Sequence, residues 1–442
     1  MPEATTALRP LAWIERLWSS IADRGRAFAD VPATTIAPVE RARQLAAALL
    51  SGRGEASGAA LARELLRVVE GLDAAGRLEF CRFLAGGFLP DAEALKAAAA
   101  AYLADPTPAG ASALADAAEP PRQELLRRIN HGQGGTAALV ALRQNVLGML
   151  RANPELAPLD ADLRHLFSSW FNRGFLDLRR IDWNTPAAVL EKLIVYEAVH
   201  EIDGWSDLRR RLAPDRRCFA FFHPALPGEP LIFVEVALVQ GLADAVQPLL
   251  APDTDAAAQT ARAASADTAI FYSISNCQEG LRGISFGNFL IKQVVEELKA
   301  ELPQLRRFAT LSPVPGFRRW LSREAEAGRA TLPAEDGVPG EEARAELLVQ
   351  CARYLTGAEP GRGDPVARFH LGNGARLERI NWRGNVAARG IAESYGLMVN
   401  YLYDPETIEA NHEAYARAGS VARSREVDAL LAPGQQKRAA VR

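Results

Sequence analysis

A polar, glycine-containing segment at residues 278–288 has the composition of a phosphate-binding turn. It follows an apolar, β-branched run at residues 268–274 and precedes a helical pattern that starts at Leu290. Glycines let the backbone approach a phosphate closely, and the N-terminus of a helix presents free N–H groups with a partial positive charge. Arg282 adds a fixed cation. The segment predicts a site for a nucleotide tail, and an ordinary strand–helix connection is the alternative.

The same segment also contains the pattern of a hydrolase nucleophile. Residues 283–287 match G-x-S-x-G, and Asp364 and His370 follow Ser285 in the chain order of an α/β-hydrolase triad. Such an elbow requires a strand that runs directly into the serine, whereas here the strand pattern ends near Ser275. We therefore favour phosphate binding over hydrolysis.

Ser312 and His370 are polar residues within largely apolar segments. Ser312 follows a predicted strand at residues 308–311 and precedes Pro313 and a predicted helix at residues 317–327, so its type alone fits a helix cap. The pattern around His370 places it near a strand end, where a buried structural histidine is the ordinary alternative. An imidazole can also exchange a proton near neutral pH, which would suit catalysis.

The cysteines and histidines are too scattered along the chain to predict a metal site. The four cysteines and six histidines form neither a CxxC nor an HxxxH pair. Such cysteines are typical of reduced thiols in a cytosolic protein. We therefore expect no metal site built from the protein's own side chains.

Composition and charge indicate a globular protein of two or three domains. Of the 442 residues, 48% are apolar, and 51 basic against 54 acidic residues give a net charge of −3. This balance provides no general attraction to nucleic acid or to an anionic membrane. No apolar stretch has the length of a membrane span or the form of a signal peptide core. We expect a cytoplasmic protein, and the excess of Arg over Lys suggests a bacterial source.

The two parts of the chain differ in hydrophobic period. Up to residue 205, apolar residues recur at helical spacing, most clearly at residues 163–171, which predicts an all-helical domain. Asp160 or Asp162 is the expected N-cap of that helix, and Gly174 its expected end. Residues 206–442 alternate short apolar runs with helical patterns, which predicts an α/β domain with a mixed sheet. The predicted strands are residues 218–222, 231–239, 268–274, 308–311 and 397–403.

Seven segments form a set whose order and spacing are informative. They are Phe-Asn-Arg-Gly-Phe-Leu at 171–176, His-Pro-Ala-Leu-Pro-Gly-Glu-Pro at 223–230, Phe-Tyr-Ser-Ile-Ser at 271–275, Leu-Ser-Pro-Val-Pro-Gly-Phe at 311–317, Phe-His-Leu-Gly-Asn-Gly-Ala at 369–375, Arg-Ile-Asn-Trp at 379–382 and Gly-Leu-Met-Val-Asn-Tyr at 396–401. Together, in this order and spacing, they resemble the malonyl-CoA decarboxylase family.

This resemblance implies a helical N-terminal domain at residues 1–205, used in assembly, and a CoA-binding catalytic domain of acetyltransferase-like fold at 206–442. It implies a homo-oligomer, either a tetramer or a dimer of dimers. The family's catalytic serine and histidine fall on Ser312 and His370. Animal members carry a glutamate in place of Ser285, so the role of that glutamate does not transfer. The family's malonyl-CoA-binding segment falls on Arg282, Gly283, Ile284, Ser285, Phe286, Gly287 and Asn288.

The implied reaction converts malonyl-CoA to acetyl-CoA and CO2. Loss of CO2 leaves an enolate whose charge lies mainly on the thioester oxygen, so no pyridoxal or thiamine electron sink is required. Preorganised donors at that oxygen would supply much of the rate gain. Tyr272, Ser273 and Asn381 are candidates to line the pocket. A CoA-dependent acyltransferase and a non-catalytic acyl-CoA sensor are the alternatives, and CO2 release without an added acceptor distinguishes them.

Overall fold

The structure is a computed structural model in which two compact units are formed. It describes residues 35–51, 55–284, 290–333, 337–357 and 363–432. The first unit comprises Met1–Leu176, His223–Pro227 and Gln278–Ser285, and the second comprises Asp177–Phe222, Gly228–Cys277 and Phe286–Arg442. The sequence pattern changes at residues 205/206, whereas residues 177–205 belong to the second unit.

The first unit is helical, as the apolar periodicity predicts. Residues 163–171 illustrate the cause, since Leu163, Leu166 and Phe167 bury one face of their helix. Among the described residues, its α-helices are α1 (Pro38–Leu50), α2 (Glu55–Glu70), α3 (Ala74–Gly87), α4 (Ala92–Ala104), α5 (Pro108–Ala118), α6 (Pro121–Asn130), α7 (Gly135–Met149) and α8 (Ala157–Trp170).

The predicted ends of α8 are wrong. Asp160 and Asp162 lie inside the helix, which begins at Ala157 without a side-chain cap and ends at Trp170, before Gly174. The two carboxylates instead form ion pairs within the unit: Asp162 accepts from buried Arg122 at 2.6 Å, and Asp160 accepts from buried Arg143 at 2.8 Å. A cap and a tertiary ion pair use the same residue type, so sequence does not separate them.

The second unit is built on the predicted mixed sheet. Among the described residues the strand order is β1-β2-β3-β4-β5-β8-β6, with β7 also paired to β8. All pairs are antiparallel except β4 with β5, which is parallel. The strands are β1 (Asp177–Ile181), β2 (Arg216–Phe222), β3 (Pro230–Val239), β4 (Thr268–Asn276), β5 (Arg307–Thr310), β6 (Ser312–Pro313), β7 (Arg376–Asn381) and β8 (Met398–Leu402).

The five predicted strands are confirmed as β2, β3, β4, β5 and β8, but β1, β6 and β7 were not predicted. β1 and β7 each contain two arginines, and β1 is mostly exposed, so neither shows an apolar run. Among the described residues, the α-helices of this unit are α9 (Ala187–Tyr196), α10 (Gly204–Arg211), α11 (Gln247–Leu250), α12 (Ala256–Ser265), α13 (Leu290–Glu301), α14 (Phe317–Glu326), α15 (Arg344–Thr356), α16 (Pro365–Gly372), α17 (Ala388–Ser394), α18 (Ile408–Ala418) and α19 (Arg425–Leu431).

A bulge in β4 decides which side chains share a face of the sheet. Ser273 pairs with Glu235 and Phe271 pairs with Val236, so Tyr272 is an extra residue on β4. Phe271 and Ser273 therefore lie on opposite faces, although they are two residues apart.

No described helix is both long enough and apolar enough to cross a membrane.

Candidate active site

Ser312 and His370 meet in the second unit. Ser312 Oγ lies 3.0 Å from His370 Nε2, and the two residues are 6% and 3% exposed. Ser312 is held on the two-residue strand β6, where it pairs with Val399 of β8. His370 lies in the last turn of α16. The two residues implied by the family resemblance are thus within hydrogen-bond distance of each other.

The local settings of both residues differ from those predicted. His370 is on a helix and not near a strand end, and α16 has a strong start signal that the sequence analysis did not use: Asp364 caps it and Pro365 is its first residue. The capping alternative for Ser312 is also wrong, because α14 begins at Phe317 with Gly316 as its N-cap.

A chain of hydrogen bonds surrounds His370. Ser312 donates its hydroxyl hydrogen to Thr310 Oγ1 at 2.9 Å, and Thr310 Oγ1 also accepts from the backbone N–H of Tyr401 at 3.2 Å. With Ser312 as that donor, His370 Nε2 is the donor in its bond to Ser312 Oγ, and His370 Nδ1 accepts from the hydroxyl of Tyr403, 2.7 Å away. The other tautomer of His370 reverses both bonds.

The electrostatics of the pair favour a neutral imidazole. Burial lowers the pKa of His370 to about 3. Burial also raises the pKa of Tyr403 well above its ordinary value, which keeps the phenol protonated. A neutral imidazole can still relay a proton, because one ring nitrogen can accept while the other donates.

Two tyrosines complete the surroundings of the imidazole, and the sequence analysis missed both: Tyr401 lies in β8, and Tyr403 directly follows it. The Tyr401 ring stacks on His370 with centroids 4.7 Å apart, and Tyr403 contacts both His370 and Phe271. A usable signal was present, since Val399, Tyr401 and Tyr403 alternate within the predicted strand and so share one face.

The predicted CoA segment lies partly in the first unit and partly outside the described residues. Ser285, Phe286, Gly287 and Asn288 are outside them, whereas Arg282, Gly283 and Ile284 are described. Arg282 is exposed and forms an ion pair with Glu279 at 3.4 Å. β4 ends at Asn276, and a 3-10 turn at Glu279–Leu281 follows. The strand therefore does not run directly into Ser285, as a nucleophile elbow requires.

Buried contacts anchor this segment to α7. Buried Arg143 donates to the carbonyl oxygens of Gly280 and Arg282 at 2.8 and 2.9 Å. A Cβ added to Gly280 would lie 2.0 Å from the carbonyl oxygen of Val140, so only glycine permits this approach. The turn is thus held rigidly on the helix.

The hydrogen bonds of the remaining candidates are made with groups other than Ser312 and His370. Ser273 donates to Glu197 at 2.8 Å, and Asn381 donates to Asn400 at 2.9 Å. Tyr272 packs in a cluster with Leu311, whose side chain alternates with that of Ser312 along the chain. No group of three or more His, Cys, Asp or Glu side chains within the described residues is arranged to hold a metal ion.

Comparison with known proteins identifies the family. The profile of the malonyl-CoA decarboxylase N-terminal domain matches residues 88–171, and that of the C-terminal domain matches residues 174–441. The chain is 39% identical over 358 residues to "Malonyl-CoA decarboxylase, mitochondrial" of Anser anser anser, which covers 72% of this chain and 70% of that protein. It is 38% identical to the protein of the same name from Mus musculus, over 70% and 71% of the two chains.

Solved structures agree with these matches. The crystal structure of malonyl-CoA decarboxylase from Rhodopseudomonas palustris superposes with a TM-score of 0.79 at 50% identity, covering 88% of this chain and 98% of that one. That of the Agrobacterium vitis protein gives 0.81 at 51% identity, over 88% and 99%. Together with the profiles and the curated relatives, these likenesses span most of the chain, and the protein belongs to the malonyl-CoA decarboxylase family.

Proposed function

We propose that the protein is a malonyl-CoA decarboxylase that converts malonyl-CoA to acetyl-CoA and CO2, with Ser312 and His370 as its catalytic residues. The observation that carries the proposal is the buried hydrogen bond between Ser312 Oγ and His370 Nε2 in a chain of this family. In the first step the bond from the α-carbon to the carboxylate breaks. Its electron pair forms an enolate with its charge on the thioester oxygen, and CO2 leaves.

The enolate carbon must then gain a proton, and the hydrogen-bond chain supplies a route. Ser312 gives its hydroxyl proton to the carbon and receives one from His370 Nε2. His370 Nδ1 receives a proton from Tyr403, and Tyr403 takes one from solvent in the same event, so neither an imidazolium nor a phenolate is left buried. This suits a site whose burial lowers the pKa of His370 to about 3 and raises that of Tyr403 well above its ordinary value.

In the same proposal, the segment from Arg282 to Asn288 binds the CoA moiety through backbone N–H groups and the Arg282 cation, and the Ser285 side chain is secondary. The end of β4 at Asn276 supports this over a hydrolase elbow.

We further propose that the catalytic domain has an acetyltransferase-like fold and needs no metal or organic cofactor. We also propose that the protein is a cytoplasmic homo-oligomer, a tetramer or a dimer of dimers, assembled through the helical domain.

The direct test is incubation of the purified protein with malonyl-CoA and no added acceptor, with acetyl-CoA and CO2 both measured. Ser312→Ala and His370→Ala should each lower kcat by about 10²- to 10⁴-fold, the usual contribution of a proton-transfer group. Circular dichroism and unfolding midpoints should show that both variants remain folded.

Two substitutions of the same residue types serve as controls. Ser322→Ala removes a hydroxyl that bonds only to its own helix, at Arg318 O, and His131→Ala removes an exposed histidine at the end of α6. Both should retain the parent kcat. Near-parent turnover in a folded Ser312→Ala or His370→Ala variant would remove that residue from the mechanism. Release of free CoA without CO2, seen only when an acceptor is supplied to take the malonyl group, would favour the acyltransferase.

A further inference from the structure

We propose that the helical unit binds the 3′-phosphoadenosine end of coenzyme A in a pocket between α3 and α7. The inference rests on the CoA thioester substrate proposed above and assigns the part of the protein that holds its nucleotide. The pocket has a volume of about 570 Å³. That volume lies within the roughly 300–1,000 Å³ typical of small-ligand sites.

Two arginines that line the pocket are suited to bind a phosphate. They are Arg77 in the first turns of α3 and Arg282 in the CoA segment, and Glu279 also lines the pocket. Arg77 Nε donates to Leu72 O at 3.0 Å, which orients the guanidinium, and its terminal nitrogens have no hydrogen-bond partner within the described residues. Arg282 has one carboxylate neighbour, Glu279, at 3.4 Å. Guanidinium groups bind phosphate through paired, charge-assisted hydrogen bonds.

The α7 side is suited to a purine base. It presents the amides of Gln144 and Asn145 beside the apolar side chains of Leu147 and Met149. An amide can pair with the amino group and N7 of adenine, and the apolar side chains can cover its ring. The last turn of α7 carries partial negative charge, which favours an amino group and opposes a phosphate. The ligand is thus oriented with its phosphate towards Arg77 and its base towards α7.

The pocket is continuous with the segment that the proposed function gives to CoA, and the two are rigidly joined. Arg143 ties the carbonyls of Gly280 and Arg282 to α7, and Gly280 packs directly on the α7 backbone at Val140. Because the backbone around the pocket is already fixed, little conformational entropy is lost when the nucleotide binds, and less of the binding free energy is spent on ordering the protein.

Arg77→Ala tests the phosphate contact, with malonyl-CoA, malonyl-dephospho-CoA and malonyl-pantetheine as substrates. We expect the KM for malonyl-CoA to rise about tenfold, as for loss of a charge-assisted hydrogen bond, with kcat changed by less than about twofold. The KM values for the two substrates that lack the 3′-phosphate should match those of the parent. Arg82→Ala is the control, because Arg82 is on the same helix and bonds Glu155 and Asn153 outside the pocket.

Gly148→Trp tests occupancy of the pocket without relying on Arg77. Gly148 lines the pocket, and no heavy atom lies within 4 Å of a Cβ built on it, so a side chain can begin there without a close contact. An indole at this position takes up space that the nucleotide would use. We expect this variant to lose its binding of adenosine 3′,5′-bisphosphate, as measured by isothermal titration calorimetry. Gly86→Trp on α3 is the matched control, since a Cβ at Gly86 also meets open space away from the pocket.

Equal losses of kcat/KM for all three substrates in Arg77→Ala would overturn the inference, as would an unchanged KM for malonyl-CoA. Unimpaired binding of the bisphosphate by Gly148→Trp would do the same. If the parent releases no CO2, the proposed function fails, but titration with CoA, dephospho-CoA and pantetheine still decides the pocket: a clear loss of affinity without the 3′-phosphate supports it, and equal affinities reject it.

Discussion

At the scale of single residues, the proposed proton relay starts from neutral groups. Ser312, His370 and Tyr403 form a continuous set of hydrogen bonds, and the imidazole has no carboxylate partner in it. This differs from a Ser-His-Asp triad, in which a carboxylate stabilises the imidazolium. Decarboxylation requires no protonated base to expel a leaving group, so a neutral relay is sufficient for this chemistry.

The first prediction concerns the pH dependence of stability. The pKa of His370 is about 3 in the folded protein and about 6.5 when unfolded, so unfolding takes up a proton between these values. The contribution of His370 to stability is fully present above pH 6.5 and is lost as the pH falls towards 3. The parent should lose up to about 1.4 kcal/mol more per pH unit in this window than His370→Gln, measured by urea unfolding.

His131→Gln is the control for that measurement, since His131 is an exposed residue in the first unit. Its unfolding free energy should follow the parent at every pH. Parallel curves for the parent and His370→Gln between pH 6.5 and 4 would contradict the neutral assignment of His370.

A second prediction addresses Tyr403. Tyr403→Phe removes the hydroxyl that donates to His370 Nδ1 and leaves that nitrogen buried without its partner. We expect kcat to fall about 10- to 100-fold with little change in KM, because the relay loses a proton carrier. Steady-state kinetics with malonyl-CoA measures both values. A parent-like kcat would show that Tyr403 has no part in the relay.

At the scale of elements, the second half of β4 depends on a buried carboxylate. β4 pairs with β5 only from Thr268 to Phe271, so its remaining residues have a strand neighbour on one side, β3. Glu197, in the connection after α9, accepts from Ser273 Oγ at 2.8 Å and from Ser275 Oγ at 3.2 Å. It also accepts from the backbone of Val199 and His200, both at 2.8 Å. This carboxylate joins the connection to the strand.

Glu197→Ala should therefore destabilise the protein by about 3 kcal/mol, because it leaves several buried donors without an acceptor. Glu201→Ala changes an exposed glutamate of the same connection and should have almost no effect. Chemical unfolding of the three proteins measures the differences. Equal unfolding free energies for Glu197→Ala and the parent would show that the carboxylate does not hold β4.

At the scale of the whole molecule, the proposed chemistry predicts independence from metal ions. The thioester itself holds the enolate charge, and the histidines and cysteines are dispersed along the sequence. Turnover should therefore survive exhaustive dialysis against a strong chelator, measured as acetyl-CoA formed from malonyl-CoA. Activity lost on dialysis and restored by one particular divalent ion would reveal a metal site. A second dialysis without chelator controls for loss of protein.

The sequence by itself determined the features that depend on local periodicity and on motif order. Helical spacing predicted the helical class of the first unit, and apolar β-rich runs located β2, β3, β4, β5 and β8, because each element must bury one face. The set of family motifs brought Ser312 and His370 to attention, and the profiles and relatives confirm the family.

Only the tertiary structure decided which polar groups meet. Asp162 is an ion-pair partner of Arg122 and not a cap, and β1 became visible only as a partner of β2. The hydrogen-bond chain through Tyr403 joins residues from three segments remote in the chain, and the lowered pKa of His370 follows from its burial. Hydrogen bonding and desolvation depend on distances between segments remote in the chain, and local sequence patterns do not encode those distances.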